Sequence, residues 1–160
     1  MTCRRAALRA APFLVVLALL AAAGLVQSAH AMRLETLKLI TAQGTHAIDV
    51  EVTETPAEKA QGLMFRTRLA DTNGMLFFYE TPQEITMWMR NTYIPLDMVF
   101  IRADGVVHRI EARTEPLSEK IVASRGDVTA CLELAGGAAE RLGLKAGDRV
   151  EHRFFKPAKK

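Results

Sequence analysis

Cysteine is nearly absent from this chain of 160 residues: Cys3 and Cys131 are its only two. Cys3 lies in an N-terminal leader, so the remainder of the chain holds one thiol and no internal disulfide. Free cysteine is among the most buried residue types, and Cys131 is expected in the core. Aromatics are scarce as well, at 6%, with Trp88 the single tryptophan. No apolar run reaches the 18 residues that a membrane-spanning helix needs, which excludes a polytopic membrane protein. A surplus of charge is missing where it would matter. Three of the 21 basic residues, Arg4, Arg5 and Arg9, precede residue 13, and from Met32 onward 18 Lys and Arg face 18 Asp and Glu. A domain that neutralises phosphates needs a positive surplus in its folded part, so no nucleic-acid partner is expected.

Signatures of catalysis are also lacking. The chain contains no Walker A loop, G-x-G-x-x-G, G-x-S-x-G, H-E-x-x-H or paired C-x-x-C. No cofactor is therefore expected. His46, His108 and His152 lie too far apart for local ligand spacing, so no metal site is expected either.

The leader itself is informative. A basic segment (residues 1–9) precedes an apolar run from Phe13 to Val26, and Ala29-His30-Ala31 is an A-x-A cleavage pattern. Residues 1–31 read as an export signal cut after Ala31, placing the mature chain in the periplasm or cell envelope with no membrane span. Fourteen residues of helix rise roughly 21 Å, short of the hydrocarbon core.

Residues 32–155 read as one β-rich domain, followed by a basic tail at 156–160. The 49% apolar content is enough for a packed core. Ile48, Val50 and Val52 alternate with polar neighbours, and the same period of two marks 34–40, 75–79, 85–89, 96–102, 106–112, 121–124, 128–134 and 149–155. Ala103-Asp104-Gly105 is a hairpin turn, and Pro82 is read as a turn between two of the strands. The expected fold class is mainly β, a compact antiparallel sandwich or barrel of about nine short strands. Two short helices interrupt them. Thr55-Pro56-Ala57-Glu58 is a capping box with proline at the first helical position, and a second helix runs from about Gly137 to Leu142.

Candidate functional residues concentrate between Met64 and Met98. In a strand, Ile85, Met87 and Met89 share one face, while Thr86, Trp88 and Arg90 share the other. A tryptophan two residues from an arginine can stack on it and wall a ligand groove. Asp97 falls on the apolar face of Val99 and Ile101, where an isolated carboxylate is costly. It needs a partner: Arg66, Arg90, or the amides of the Asn91–Ile94 loop. Glu133 is a second candidate carboxylate on its own strand. Met64, Met75, Met87, Met89 and Met98 could bind Cu(I), although their apolar neighbours fit core filling better.

Taken in order, Gly62-Leu63-Met64-Phe65-Arg66, Gly74-Met75-Leu76-Phe77, Trp88-Met89-Arg90-Asn91-Thr92, Pro95-Leu96-Asp97, Leu132-Glu133-Leu134 and Gly147-Asp148 resemble domain of unknown function 192. The resemblance spans about residues 35–153. It implies a compact, mainly β, often exported domain without assigned activity, cofactor or catalytic residue.

The resulting expectation is a binding or accessory module of the cell envelope. Its partner would be a small polar ligand, or an envelope protein, and the ligand groove would be formed by Arg66, Trp88, Arg90, Asn91 and Asp97. Two alternatives are an envelope carbohydrate-active hydrolase using Asp97 and Glu133, which must then flank a cleft, and a methionine-based copper binder.

Overall fold

The computed structural model describes residues 32–156; the export-signal reading of 1–31 and all but Lys156 of the basic tail lie outside the described residues. Among the described residues, seven strands and two short helices follow in the order β1 (Arg33–Thr41), β2 (Gly44–Thr53), α1 (Pro56–Gln61), β3 (Asn73–Met87), β4 (Leu96–Ile101), β5 (Val107–Thr114), β6 (Val122–Ala135), α2 (Ala138–Arg141) and β7 (Arg149–Glu151). All seven strands join one sheet in the order β5-β4-β6-β3-β2-β1-β7.

The mainly β expectation holds, with a different strand count and one parallel pair. The segments at 75–79 and 85–89 are one bent strand, β3, and those at 121–124 and 128–134 are one strand, β6. Pro82 does not turn the chain back. It sits in a bulge where the register with β6 slips between the Phe78–Ala130 and Gln83–Val128 pairs. A bulge accommodates proline because its missing N–H costs no ladder bond there. β2 and β3 run parallel, with Val50 opposite Gly74, because residues 54–72 are long enough to cross over. β7 is also shorter than its alternation suggests. A turn bonding the Phe155 amide to the His152 carbonyl (3.0 Å) ends it.

The sheet curls until its ends touch. Val106 bridges Arg149, the Val107 amide donates to the Asp148 carbonyl (2.8 Å), and the Val150 amide donates to the Gly105 carbonyl (2.7 Å). Gly105 allows this closure because its φ is +79° and a Cβ there would stand 2.6 Å from the Val150 carbonyl oxygen.

Curling separates two cores. Inside the curl, Leu37, Leu39, Val50, Leu76, Val99, Ile101, Leu132 and Leu134 pack with Val150 and Phe155. On the outer face of β3, β4 and β6, Met75, Met98, Phe77, Phe100 and Cys131 pack beneath Leu63, Ile85, Met87 and Met89. The second core exists because β3 and β6 bend, bringing Ile85, Met87 and Val122 back over β4. Each fully buried aliphatic or aromatic side chain contributes about 1.5–3 kcal/mol. Cys131 is buried as expected, and burial pushes its thiol well above the ordinary range.

The first helix begins as its sequence dictates. The Thr55 side chain accepts the Glu58 amide (3.2 Å) while the Glu58 carboxylate takes the Thr55 amide (2.8 Å). No helix among the described residues is long and apolar enough to cross a membrane.

Candidate functional site

The alternation read at the end of β3 is the one observed. Ile85, Met87 and Met89 are buried, whereas Trp88 is 44% exposed. The Arg90 guanidinium lies 5.3 Å from the Trp88 ring centroid and is held by Glu119 at 3.0 Å. Trp88 and Arg90 therefore form an exposed cation–π pair. Arg66 does not join them: its guanidinium bonds Glu51 at 2.6 Å, beside Arg68 and Asn73 in a separate surface concavity. Asn91 takes a left-handed backbone (φ 56°). Its side-chain amide reaches the Met64 sulfur (3.8 Å), and its carbonyl accepts the Phe65 amide (2.8 Å). The five residues read as one groove thus occupy several places.

Asp97 corrects the expected pairing most sharply. It is fully buried, yet neither an arginine nor the Asn91–Ile94 amides hold it. One carboxylate oxygen accepts the amides of Arg113 (2.8 Å) and Gly137 (2.9 Å), and the other accepts that of Ala139 (2.9 Å). Three amides solvate the charge in place of water. Two of them belong to the entry of α2, where Gly137 takes φ +83° and a Cβ would crowd the Arg113 guanidinium at 2.9 Å. Asp97 is a positioning residue that fastens α2 and the end of β5 to β4.

Glu133 is buried without such help. One of its carboxylate oxygens has no hydrogen-bond partner among the described residues, and burial pushes its carboxyl up to about 8. It is a neutral acid at neutral pH. Its strand neighbour across β4 is Met98, on the outer face, whereas Asp97 shares the inner face with Val99. The pair is thus split between opposite faces of the sheet and flanks no cleft, contrary to what a two-carboxylate hydrolase needs. Among the methionines, Met75, Met87, Met89 and Met98 are interleaved with Phe77, Phe100 and Leu63 in the outer core. They are fillers rather than a surface set of thioethers.

A cleft of about 320 Å³ opens beside the Trp88 segment, where the bent end of β6 passes over β5. Its walls include Met89, Arg109, Glu111, Lys120, Ile121 and Arg125. Ile121 is exposed and forms part of the wall, whereas Trp88, on the face opposite Met89, stands outside it. Arg109 crosses the gap: its guanidinium donates to the Ala123 carbonyl and to Glu111 and lies 5.5 Å from the Phe100 ring centroid. The side chains of Lys120 and Arg125 enter no ion pair among the described residues, and Arg125 is held at φ 57°. Sequence reading missed Arg109, Lys120 and Arg125. They come from two segments whose approach depends on the bend of β6, and no local motif marks them.

Comparison with known proteins places the chain among uncharacterised relatives. A crystallised Sinorhizobium meliloti protein, proposed to be a transcription regulator, is 44% identical with a TM-score of 0.73, covering 76% of this chain and 95% of that one. A crystallised protein of unknown function from Novosphingobium aromaticivorans is 41% identical with a TM-score of 0.74, covering 80% of this chain and 91% of that one. No curated protein matches the chain. The family model for DUF192, described as an uncharacterized ACR, matches residues 38–152, and the chain belongs to that family.

Proposed function

We propose that this protein is a binding or accessory module of the cell envelope that takes up a small anionic ligand in the cleft between β5 and the bent end of β6. The observation that carries the reading is the pair of uncommitted cations, Lys120 and Arg125, on the walls of a concave site that already contains Arg109. A carboxylate or phosphate entering there meets guanidinium and ammonium donors without breaking an existing pair. Arg109 is committed to Ala123 and Glu111, so it shapes the site and supplies background charge. Trp88 and Arg90 flank Met89, which lines the cleft, and this is where the groove read from the sequence enters. The envelope location rests on the leader. The regulatory role proposed for the S. meliloti relative is not carried over, because acids and bases balance from Met32 onward.

Trp88 is the only tryptophan, so its fluorescence reports only the segment next to Met89 on the cleft wall. Titration with inorganic phosphate, citrate and simple monocarboxylates is expected to give a saturable change with at least one of them. A Lys120→Ala/Arg125→Ala double variant should weaken that binding at least tenfold while leaving the melting temperature within a few degrees, as for most surface substitutions. Flat titrations, together with no heat of binding by calorimetry, would overturn the reading.

The accessory part of the reading is supported by Phe65, Tyr93 and Leu117, each about half exposed. Phe65 and Tyr93 meet edge to face at 6.0 Å. Phe65 and Leu117 are held at φ 65° and 62°, a backbone region bulky residues avoid, by amides donated to the carbonyls of Asn91 and Thr92. Exposed apolar side chains on strained backbone mark a contact surface.

A further inference from the structure

A second concavity, of about 520 Å³, lies at the bend of β3, on residues distinct from those of the anion cleft. Its origin is the bulge. Between the Phe78–Ala130 and Gln83–Val128 pairs, residues 79–82 of β3 stand opposite a single residue of β6, Thr129. On its other side β6 loses its neighbour too, since pairing with β4 ends at Ile101 opposite Ala130. Thr129 therefore sits where both flanking strands have left, and the chain after β7 forms the roof, fixed by the Lys156 amide on the Ala103 carbonyl (3.2 Å). A bulge placed beside a concavity re-aims side chains into it.

The lining has two characters. Phe78, Pro82, Ala103 and Phe154 provide an apolar wall, stiffened by the Phe78–Phe154 stack with centroids 4.0 Å apart. Glu80, Asp104 and Lys156 provide polar groups at the same concavity. The Glu80 carboxylate and the Lys156 ammonium enter no hydrogen bond or ion pair among the described residues, and one Asp104 oxygen takes the Val106 amide (3.0 Å) and pairs with Arg102 at 3.6 Å, leaving the other oxygen for a ligand. Thr129 also lines it, is 3% exposed, and its hydroxyl has no partner among the described residues. A buried hydroxyl left unpaired is unfavourable, and a ligand hydroxyl or water pressed into this wall would pair with it.

We infer that this concavity is a binding site for a single sugar ring. The ligand must be flat and apolar on one side to cover Phe78, Pro82 and Phe154. It must also be rich in hydroxyls on its edge to donate to Glu80 and Asp104 and accept from Lys156 and Thr129. A neutral pyranose combines these features, and acids and base on the wall hydrogen-bond to it without a charge having to be neutralised. The volume suits one ring, within the range of small-ligand pockets. A free organic cation is the rival chemistry, since the Glu80 carboxylate enters no ion pair among the described residues.

The test is a titration of the full-length chain with D-glucose, D-galactose and N-acetyl-D-glucosamine, with tetramethylammonium as the cationic probe, followed by amide NMR shifts. At least one sugar is expected to shift the amides of Glu80, Asp104, Thr129 and Lys156 saturably at millimolar concentrations. Thr129→Val keeps the side-chain shape and removes only the unpaired hydroxyl, so it should melt no lower than the parent while binding the sugar about tenfold more weakly. Phosphate binding at Lys120 and Arg125 should be unchanged in that variant, which separates the two sites. Shifts caused by tetramethylammonium and no sugar would overturn the assignment. So would sugar affinity unaltered by Thr129→Val, or no saturable shift with any probe, which would leave the concavity to water.

Discussion

The carboxylate of Asp97 in β4 accepts the amide of Gly137, forty residues further along the chain, at 2.9 Å inside the protein. With the Arg113 and Ala139 amides it makes a three-armed anchor. One strand residue thereby sets the position of α2 and of the end of β5.

The anchor predicts an ordered set of losses. Asp97→Ala removes three charge-assisted bonds and leaves amides buried without acceptors, and should cost about 3–5 kcal/mol. Asp97→Asn keeps one oxygen for Arg113 and Gly137 but turns a donor toward the Ala139 amide, and should cost about 1–3 kcal/mol. Urea denaturation of the two variants checks the order. Equal losses would mean that the Arg113 and Gly137 bonds, which asparagine keeps, contribute nothing.

Glu133 predicts an unusual pH profile. Its carboxyl is raised to about 8 in the folded protein, while the unfolded chain loses the proton near 4.5. Between these values the folded state holds a proton that the unfolded state has released, so stability falls as pH rises through this window and levels off above it. The full effect is up to about 5 kcal/mol. Glu133→Gln stays neutral throughout, so its stability curve should be nearly flat from pH 5 to 8, apart from other groups. The advantage of the variant over the parent should then grow with pH in thermal melts.

Glu35 acts in the opposite direction. Its hydrogen bonds with Arg153, both at 2.7 Å, hold its carboxyl below the usual range. That contribution is present above about pH 4.5 and is lost as pH falls through the lowered value. Arg153→Gln should therefore remove part of the acid sensitivity below pH 4.5, measured as a smaller drop in melting temperature between pH 5 and 3.

Leu117 tests whether its conformation serves folding. It is 57% exposed and sits at φ 62°, where asparagine is better tolerated than leucine. Leu117→Asn should raise stability by about 0.5–1 kcal/mol. A loss of that size would show instead that the leucine side chain supports the fold.

Much of the local structure was legible in the sequence. The alternation of Ile48, Val50 and Val52 defines β2, and the Thr55–Glu58 box starts α1. The spacing of Ile85, Met87 and Met89 against Trp88 separates buried from exposed faces, because side-chain direction in a strand has a period of two whatever the strand packs against. The buried state of Cys131 follows from a different rule, that free cysteine is among the most buried residue types.

What the sequence by itself determined is therefore the β class, the helix starts, the faces of the strands and the family. Tertiary structure alone decided that Pro82 lies in a bulge within one strand, that Asp97 is held by amides from residues 113, 137 and 139, and that Arg109, Lys120 and Arg125 meet at one cleft. The reason is physical. Periodicity records which way a side chain points from its own strand. The bends of β3 and β6 and the closure of the sheet at Val106 and Arg149 depend on hydrogen bonds between segments far apart in the chain, and these carry no local pattern.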